Sequence, residues 1–230
     1  SKWQPVSMIV RMFGIVLTTL AIAALAIATI VGSLAATPLV VALWLAAVPL
    51  MVSGVGARNH GTVDNASGVA TVLEAVELVA RDFDVGVLIT DAEELALAGA
   101  RAWLRTWRSA AGVALNCDSV DDAGPLVAMY SGRRDRSAAT VRALAAAAAA
   151  EGEPFRTMRL LPGVLADSVA FAGAGWRTLT LSRGTIRTLG RIHTSRDTLD
   201  AMRGTGIPGT ARVLAHAARE IAAELGGAKR

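Results

Sequence analysis

Side chains of the types that bind cations and move protons recur at the ends of apolar stretches in this chain. Val85–Thr90 is a short β-branched run that reads as a buried strand, and it leads directly into Asp91, Glu93 and Glu94. Acids so close together repel one another unless cations or solvent offset the charge. Asp64 opens Asp64-Asn65-Ala66-Ser67-Gly68 at a predicted helix start, where alone it would pass for an N-cap. Asn116-Cys117-Asp118 places another carboxylate at the end of an apolar run, and His193 lies in the polar loop Ile192–Thr198. Singly, each is an exposed acid or a loop histidine. Together, carboxylates and one imidazole at successive loop ends describe a hard, oxygen-rich cation site.

The elements that must position these residues alternate along the chain. Apolar spacing predicts helices over Ser67–Arg81, Leu97–Arg108, Ala139–Ala150 and Gly209–Leu225, with a short helical turn at Val169–Gly173. Strands are predicted over Val85–Thr90, Val113–Cys117, Pro125–Tyr130, Thr157–Leu161 and Trp176–Leu181. Such alternation predicts an α/β domain with a mixed, largely parallel sheet and helices on both faces. Open sheets of this kind bind ligands beyond the carboxyl ends of their strands, which is where the candidate residues fall.

The chain has 230 residues, enough for one domain with a substantial core, and is 53% hydrophobic. The apolar excess sits at one end. Met12–Val31 and Leu34–Val55 carry no charge, and each is long enough to cross the hydrocarbon core of a bilayer. Gly32-Ser33 and Pro38 punctuate their join, so residues 1–56 are expected to form a two-helix transmembrane hairpin in the lipid bilayer. Lys2, Arg11 and Arg58 flank it while the turn is uncharged, which places residues 57–230 on the cytoplasmic side. A Gly-rich linker runs from Gly54 to Gly61 into the α/β domain. Net charge is +4, but the basic residues are scattered and aromatics make up only 4%, so there is no nucleic-acid footprint. Cys117 is the only cysteine, which excludes intrachain disulfides and cysteine metal clusters.

The order D-N-A-S-G, D-A-E-E-L-x-L-x-G, N-x-D and H-T-x-x-D-T resembles peptidase clan MH, the di-zinc aminopeptidases that include aminopeptidase S, aminopeptidase Y and the glutaminyl cyclases. Asp167-Ser168, with Phe171 and Gly175, also looks like a segment of that family, and the resemblance covers Gly61 to the C-terminus. It implies a zinc metallopeptidase, most simply an aminopeptidase acting on peptides. Asp64 would bridge two zinc ions, Glu94 and His193 would complete one site, and Asp118 would belong to the other. Glu93 would be the general base, taking a proton from the attacking water and passing it to the leaving amine. A cis peptide would follow the bridging aspartate, between Asp64 and Asn65.

One departure stands out. The family's second metal site takes a histidine from an H-x-D motif before D-N-A-S-G, and no H-x-D occurs here. His60 lies in that neighbourhood, but on the linker and without the aspartate. The expectation is therefore a C-terminal part of a catalytic domain, interrupted by the hairpin. An upstream segment or second chain would supply further strands and the missing histidine. Two alternatives remain open: a mono-zinc acyltransferase resembling glutaminyl cyclase, using Asp64, Glu94 and His193 alone, and a non-catalytic membrane interaction domain. Metal content per chain separates them.

Overall fold

A computed structural model describes residues 8–31, 38, 40–45, 59–107, 111–131, 134–160 and 164–227. The helices are α1 (Met8–Val31), α2 (Ser67–Val79), α3 (Ala98–Thr106), α4 (Arg134–Ala150), α5 (Asp167–Gly173), α6 (Ile186–Leu189) and α7 (Gly206–Gly227). The strands are β1 (Val113–Val120), β2 (Leu126–Tyr130), β3 (Phe155–Arg159) and β4 (Arg177–Arg183).

Along β4, Leu179 and Leu181 alternate with Thr178, Thr180 and Ser182, and this period of two divides the domain into layers. The leucines, each 1% exposed, enter a core with Cys117 of β1, Leu126 and Ala128 of β2, and helices α2, α4 and α7. The alanine-rich α4 packs closely there through Ala143, Leu144, Ala147 and Ala148, because side chains this small let a helix approach the sheet. On the other face the Thr180 hydroxyl meets Ser168 of α5 at 2.6 Å. Helices thus cover both faces, and the strand order is β1-β4-β2-β3. β1 runs parallel to β4 and β2 parallel to β3, while β2 and β4 are antiparallel. The sheet is mixed and largely parallel, as expected.

One expectation needs correction, and a second finds no support among the described residues. Val85–Thr90 forms no ladder, and Val85, Val87, Leu88 and Ile89 stand 36%, 38%, 39% and 57% exposed. A strand exists only through bonds to a partner, and among the described residues β1 ends the sheet with β4 as its one neighbour. Among the described residues, moreover, no helix is long and apolar enough to cross a membrane. The hairpin expected over 1–56 therefore has no support in the structure. α1 includes Arg11 near its start, and the Gly32-Ser33 turn and most of Leu34–Val55 lie outside the described residues.

Candidate metal centre

The centre is assembled by three loops around the turn Thr62–Ala66. That turn is wide: the Ala66 N–H reaches Gly61 O at 2.9 Å, and Asp64 and Asn65 leave helical geometry with φ/ψ of −115/90 and −138/36. The Asp64–Asn65 peptide is cis. The Asn65 amide donates to Cys117 O at 3.1 Å, and its oxygen accepts the N–H groups of Ser119 and Gly68, both at 3.1 Å. Ser67 Oγ donates to Val63 O at 2.8 Å and accepts Val120 N–H at 2.9 Å. Position 68 must be glycine, since a Cβ there would lie 2.5 Å from Cys117 O. Each letter of D-N-A-S-G other than the alanine thus has a task. Asp64 is presented, while Asn65, Ser67 and Gly68 fasten its turn to the end of β1, where Asp118 sits.

His193 follows α6 in a left-handed backbone conformation, φ 60°, that turns its ring back towards Asp64. Its Nε2 lies 2.7 Å from Asp64 Oδ2 and 2.7 Å from Glu94 Oε1. One ligand atom from each of the three residues falls within 4.8 Å of the others. Ala92 and Ser119, next to Glu93 and Asp118, are also left-handed, with φ of 56° and 62°. Non-glycine residues seldom adopt this conformation, and it costs about 1–3 kcal/mol apiece, so backbone strain gathers on these loops.

The structure therefore brings together Asp64, Glu94 and His193. Asp118 stays outside that group, though near enough for its charge to act on Glu93. Its own carboxylate accepts a hydrogen bond from Ser119 Oγ at 3.0 Å. His60 turns away: its Nδ1 accepts the Leu199 N–H at 3.3 Å. Two carboxylates had no role assigned from sequence. Asp167, 8% exposed, accepts the Thr90 hydroxyl and leaves its second oxygen without a partner. Asp197, fully buried, binds the backbone of the Asp64 turn. Both lie in quoted motifs, but burial is what gives them a role, and spacing does not reveal burial.

The electrostatics fit a cation. Burial, then the charges of Asp118, Asp167, Asp64 and Glu94, push the Glu93 carboxyl up to about 8. Its Oε1 is buried without a hydrogen-bond partner. Burial first, then Asp64, pushes Asp118 up to about 7, against the hydrogen bond from Ser119. Hydrogen bonds to Asp64 and then Glu94 raise His193 to about 9. So many acids around one imidazole, two of them reluctant to ionise, form a donor set that a divalent cation neutralises.

A pH dependence follows. All three groups hold their protons more tightly folded than unfolded, so the native chain binds more protons between about pH 4.5 and 9. Stability then falls as pH rises. The His193 contribution is complete below its ordinary pKa of 6.5 and is lost through about 9. The losses from Asp118 and Glu93 begin lower, at their ordinary values of 3.8 and 4.5, and are complete by about 7 and 8. Thermal melts of the metal-free protein should show Tm declining from pH 5 to pH 9. A flat or rising profile would contradict this picture of the cluster.

Open, parallel-rich α/β sheets bind their ligands beyond the carboxyl ends of their strands, and the turn that presents Asp64 is fastened to such an end, that of β1. The model of peptidase family M28 matches residues 45–218, and the chain belongs to that family. Among solved structures, an aminopeptidase from Aneurinibacillus sp. strain AM-1 is 22% identical over 74% of this chain and 42% of its own, with a TM-score of 0.58. LapA aminopeptidase of Legionella pneumophila is 17% identical over 74% of this chain and 49% of its own, TM-score 0.59. LapB from the same organism is 17% identical over the same shares, TM-score 0.60. At these identities the likeness is one of fold, and the chain matches about half the length of each. No curated protein sequence matches it.

Proposed function

We propose that this chain carries the catalytic centre of a zinc-dependent aminopeptidase. What supports this most is the convergence of Asp64, Glu94 and His193 to within 4.8 Å in a member of family M28. Zinc, the ion expected in the family, polarises a scissile carbonyl and lowers the pKa of water towards neutrality when bound. Asp64 Oδ2, Glu94 Oε1 and His193 Nε2 would hold it, with the imidazole neutral. Asp118 would take part in holding a second ion. Glu93 accepts the proton of the attacking water on its carboxylate and returns it to the departing amine. Burial and the neighbouring carboxylates raise its pKa, and a cation held beside it would lower it again towards the ionised form that accepts a proton. A peptide is the substrate class.

The same three residues would also serve the alternative, a mono-zinc acyltransferase resembling glutaminyl cyclase, and zinc content per chain separates the two. We further propose that another segment, joined or separate, pairs with Val85–Thr90 and brings a histidine to Asp118. The exposed Val87, Leu88 and Ile89 support it, since an unpaired apolar run is a site for β-pairing. Membrane attachment is proposed through the uncharged Met12–Val31 and Leu34–Val55, with the domain on the cytoplasmic side. The exposed Phe13, Leu17, Leu20 and Ile27 of α1 are consistent with contact to lipid. The test is zinc per chain and cleavage of aminoacyl substrates, measured for this chain alone and with the preceding segment. The segment should raise both. A chain that cleaves fully without bound zinc would overturn the function. Full activity with two zinc ions in the chain alone would overturn the need for the segment.

A further inference from the structure

We propose that Asp197 is a positioning residue of the metal centre: its carboxylate ties the Asp64 turn to the His193 loop, holding two ligands in register before a cation binds. This rests on the zinc-peptidase function proposed above. Asp197 is 0% exposed. Its Oδ1 accepts the Val63 N–H at 2.8 Å and its Oδ2 the Asp64 N–H at 3.2 Å. Its main chain is engaged as well: the carbonyl accepts His60 N–H at 3.0 Å, and its own N–H donates to Thr194 O at 3.1 Å. One buried residue thereby joins segment 60–64 to segment 194–197.

The arrangement has a physical reason. Asp64 has non-helical backbone angles, so its N–H and that of Val63 need a partner other than a helical carbonyl. Val63 is itself 0% exposed, so without Asp197 its N–H would be buried and unpaired. A carboxylate facing two N–H donors makes charge-assisted bonds, stronger than those a neutral group would make. Asn65 fastens the same turn to β1, while Asp197 fastens its backbone to the loop bearing His193. Asp64 Oδ2 and His193 Nε2, 2.7 Å apart, are the two atoms this tie keeps together.

Asp122 provides the comparison. It too accepts two backbone N–H groups, from Arg203 at 2.6 Å and Thr205 at 2.7 Å, in a turn without candidate ligands. A carboxamide at either position keeps the shape but offers one acceptor oxygen and sets an NH2 against an amide donor. Zinc affinity of each folded variant is measured by competition with a chromogenic chelator, and stability by thermal melts without metal. Asp197→Asn should weaken zinc binding about 10–100-fold, the range for partners that orient metal ligands. Asp122→Asn should lower Tm and leave zinc affinity unchanged. Excess zinc should restore occupancy, and with it turnover, in Asp197→Asn. If that variant does not fold, hydrogen exchange on the unmodified protein decides: zinc should slow the Val63 and Asp64 amides more than those of Arg203 and Thr205. Unchanged zinc affinity in folded Asp197→Asn, or equal slowing at both pairs of amides, overturns the inference while the peptidase function stands. An unmodified protein that binds no zinc overturns both.

Discussion

Glu93→Gln is expected to slow hydrolysis of aminoacyl substrates about 10²–10⁴-fold, the usual worth of a positioned general acid–base, while the protein stays folded and keeps its zinc. Glutamine preserves the volume and one carbonyl oxygen but cannot take a proton. Glu93 is a fair subject for the test because its Oε1 makes no hydrogen bond that the amide would break. Removing its charge also relieves repulsion from Asp118, Asp167, Asp64 and Glu94, so the variant should be no less stable than the parent at pH 8. Glu94→Gln is the counterpart. That oxygen lies 2.7 Å from His193 Nε2 within the ligand group, so its loss should appear first as weakened zinc binding. Rates at saturating zinc, set beside zinc titrations, separate the two. Equal loss of metal in both variants would mean that both glutamates hold the cation and that Glu93 is not set apart as the base.

Asp64 and Asp118 stand out in sequence because each borders an apolar pattern. Asp64 precedes the helical spacing of Val69, Val72 and Val76, and Asp118 follows Val113–Leu115. What held them there was not legible. Asn65, Ser67 and Asp197 act across long chain separations, from 52 residues between Asn65 and Cys117 to 134 between Asp197 and Val63. Nothing local marks such a polar residue as buried. β1 was expected to stop at Cys117 and runs on to Val120, because Asn116 and Asp118 alternate onto its polar face, with Asn116 bonded to Thr180. A polar stretch reads as loop unless its facing strand is known.

The apolar runs show the opposite limit. Val85–Thr90 has the composition of a buried strand, and a strand is not a property of composition. It requires a neighbour in register, and among the described residues none stands beside it. Apolar spacing starts helix α4 at Ala139, five residues after its actual start at Arg134, because Arg134, Asp135 and Arg136 carry no apolar period. Charge there masks a first turn that continues into Ser137 and Thr140, both buried. Pattern locates the apolar face of an element, and the ends are set by contacts the pattern does not contain.

Zinc itself is expected to stabilise the folded chain, independently of catalysis. A ligand that binds only the native state at one hundred times its dissociation constant contributes about 2.7 kcal/mol. In a chain of this size each kcal/mol moves Tm by about 2–4 °C, so adding zinc to chelated protein should raise Tm by about 5–11 °C. The shift should grow between pH 6 and pH 8, because the cation displaces protons held by His193, Glu93 and Asp118 and binds more tightly as those protons become easier to remove. His193→Ala should abolish most of the shift, since it removes the one nitrogen ligand and leaves carboxylates alone. Glu93→Gln should keep the shift in full, which distinguishes holding the cation from using it. A Tm indifferent to zinc in a protein that nevertheless cleaves aminoacyl substrates would place the catalytic cation, if there is one, away from Asp64, Glu94 and His193.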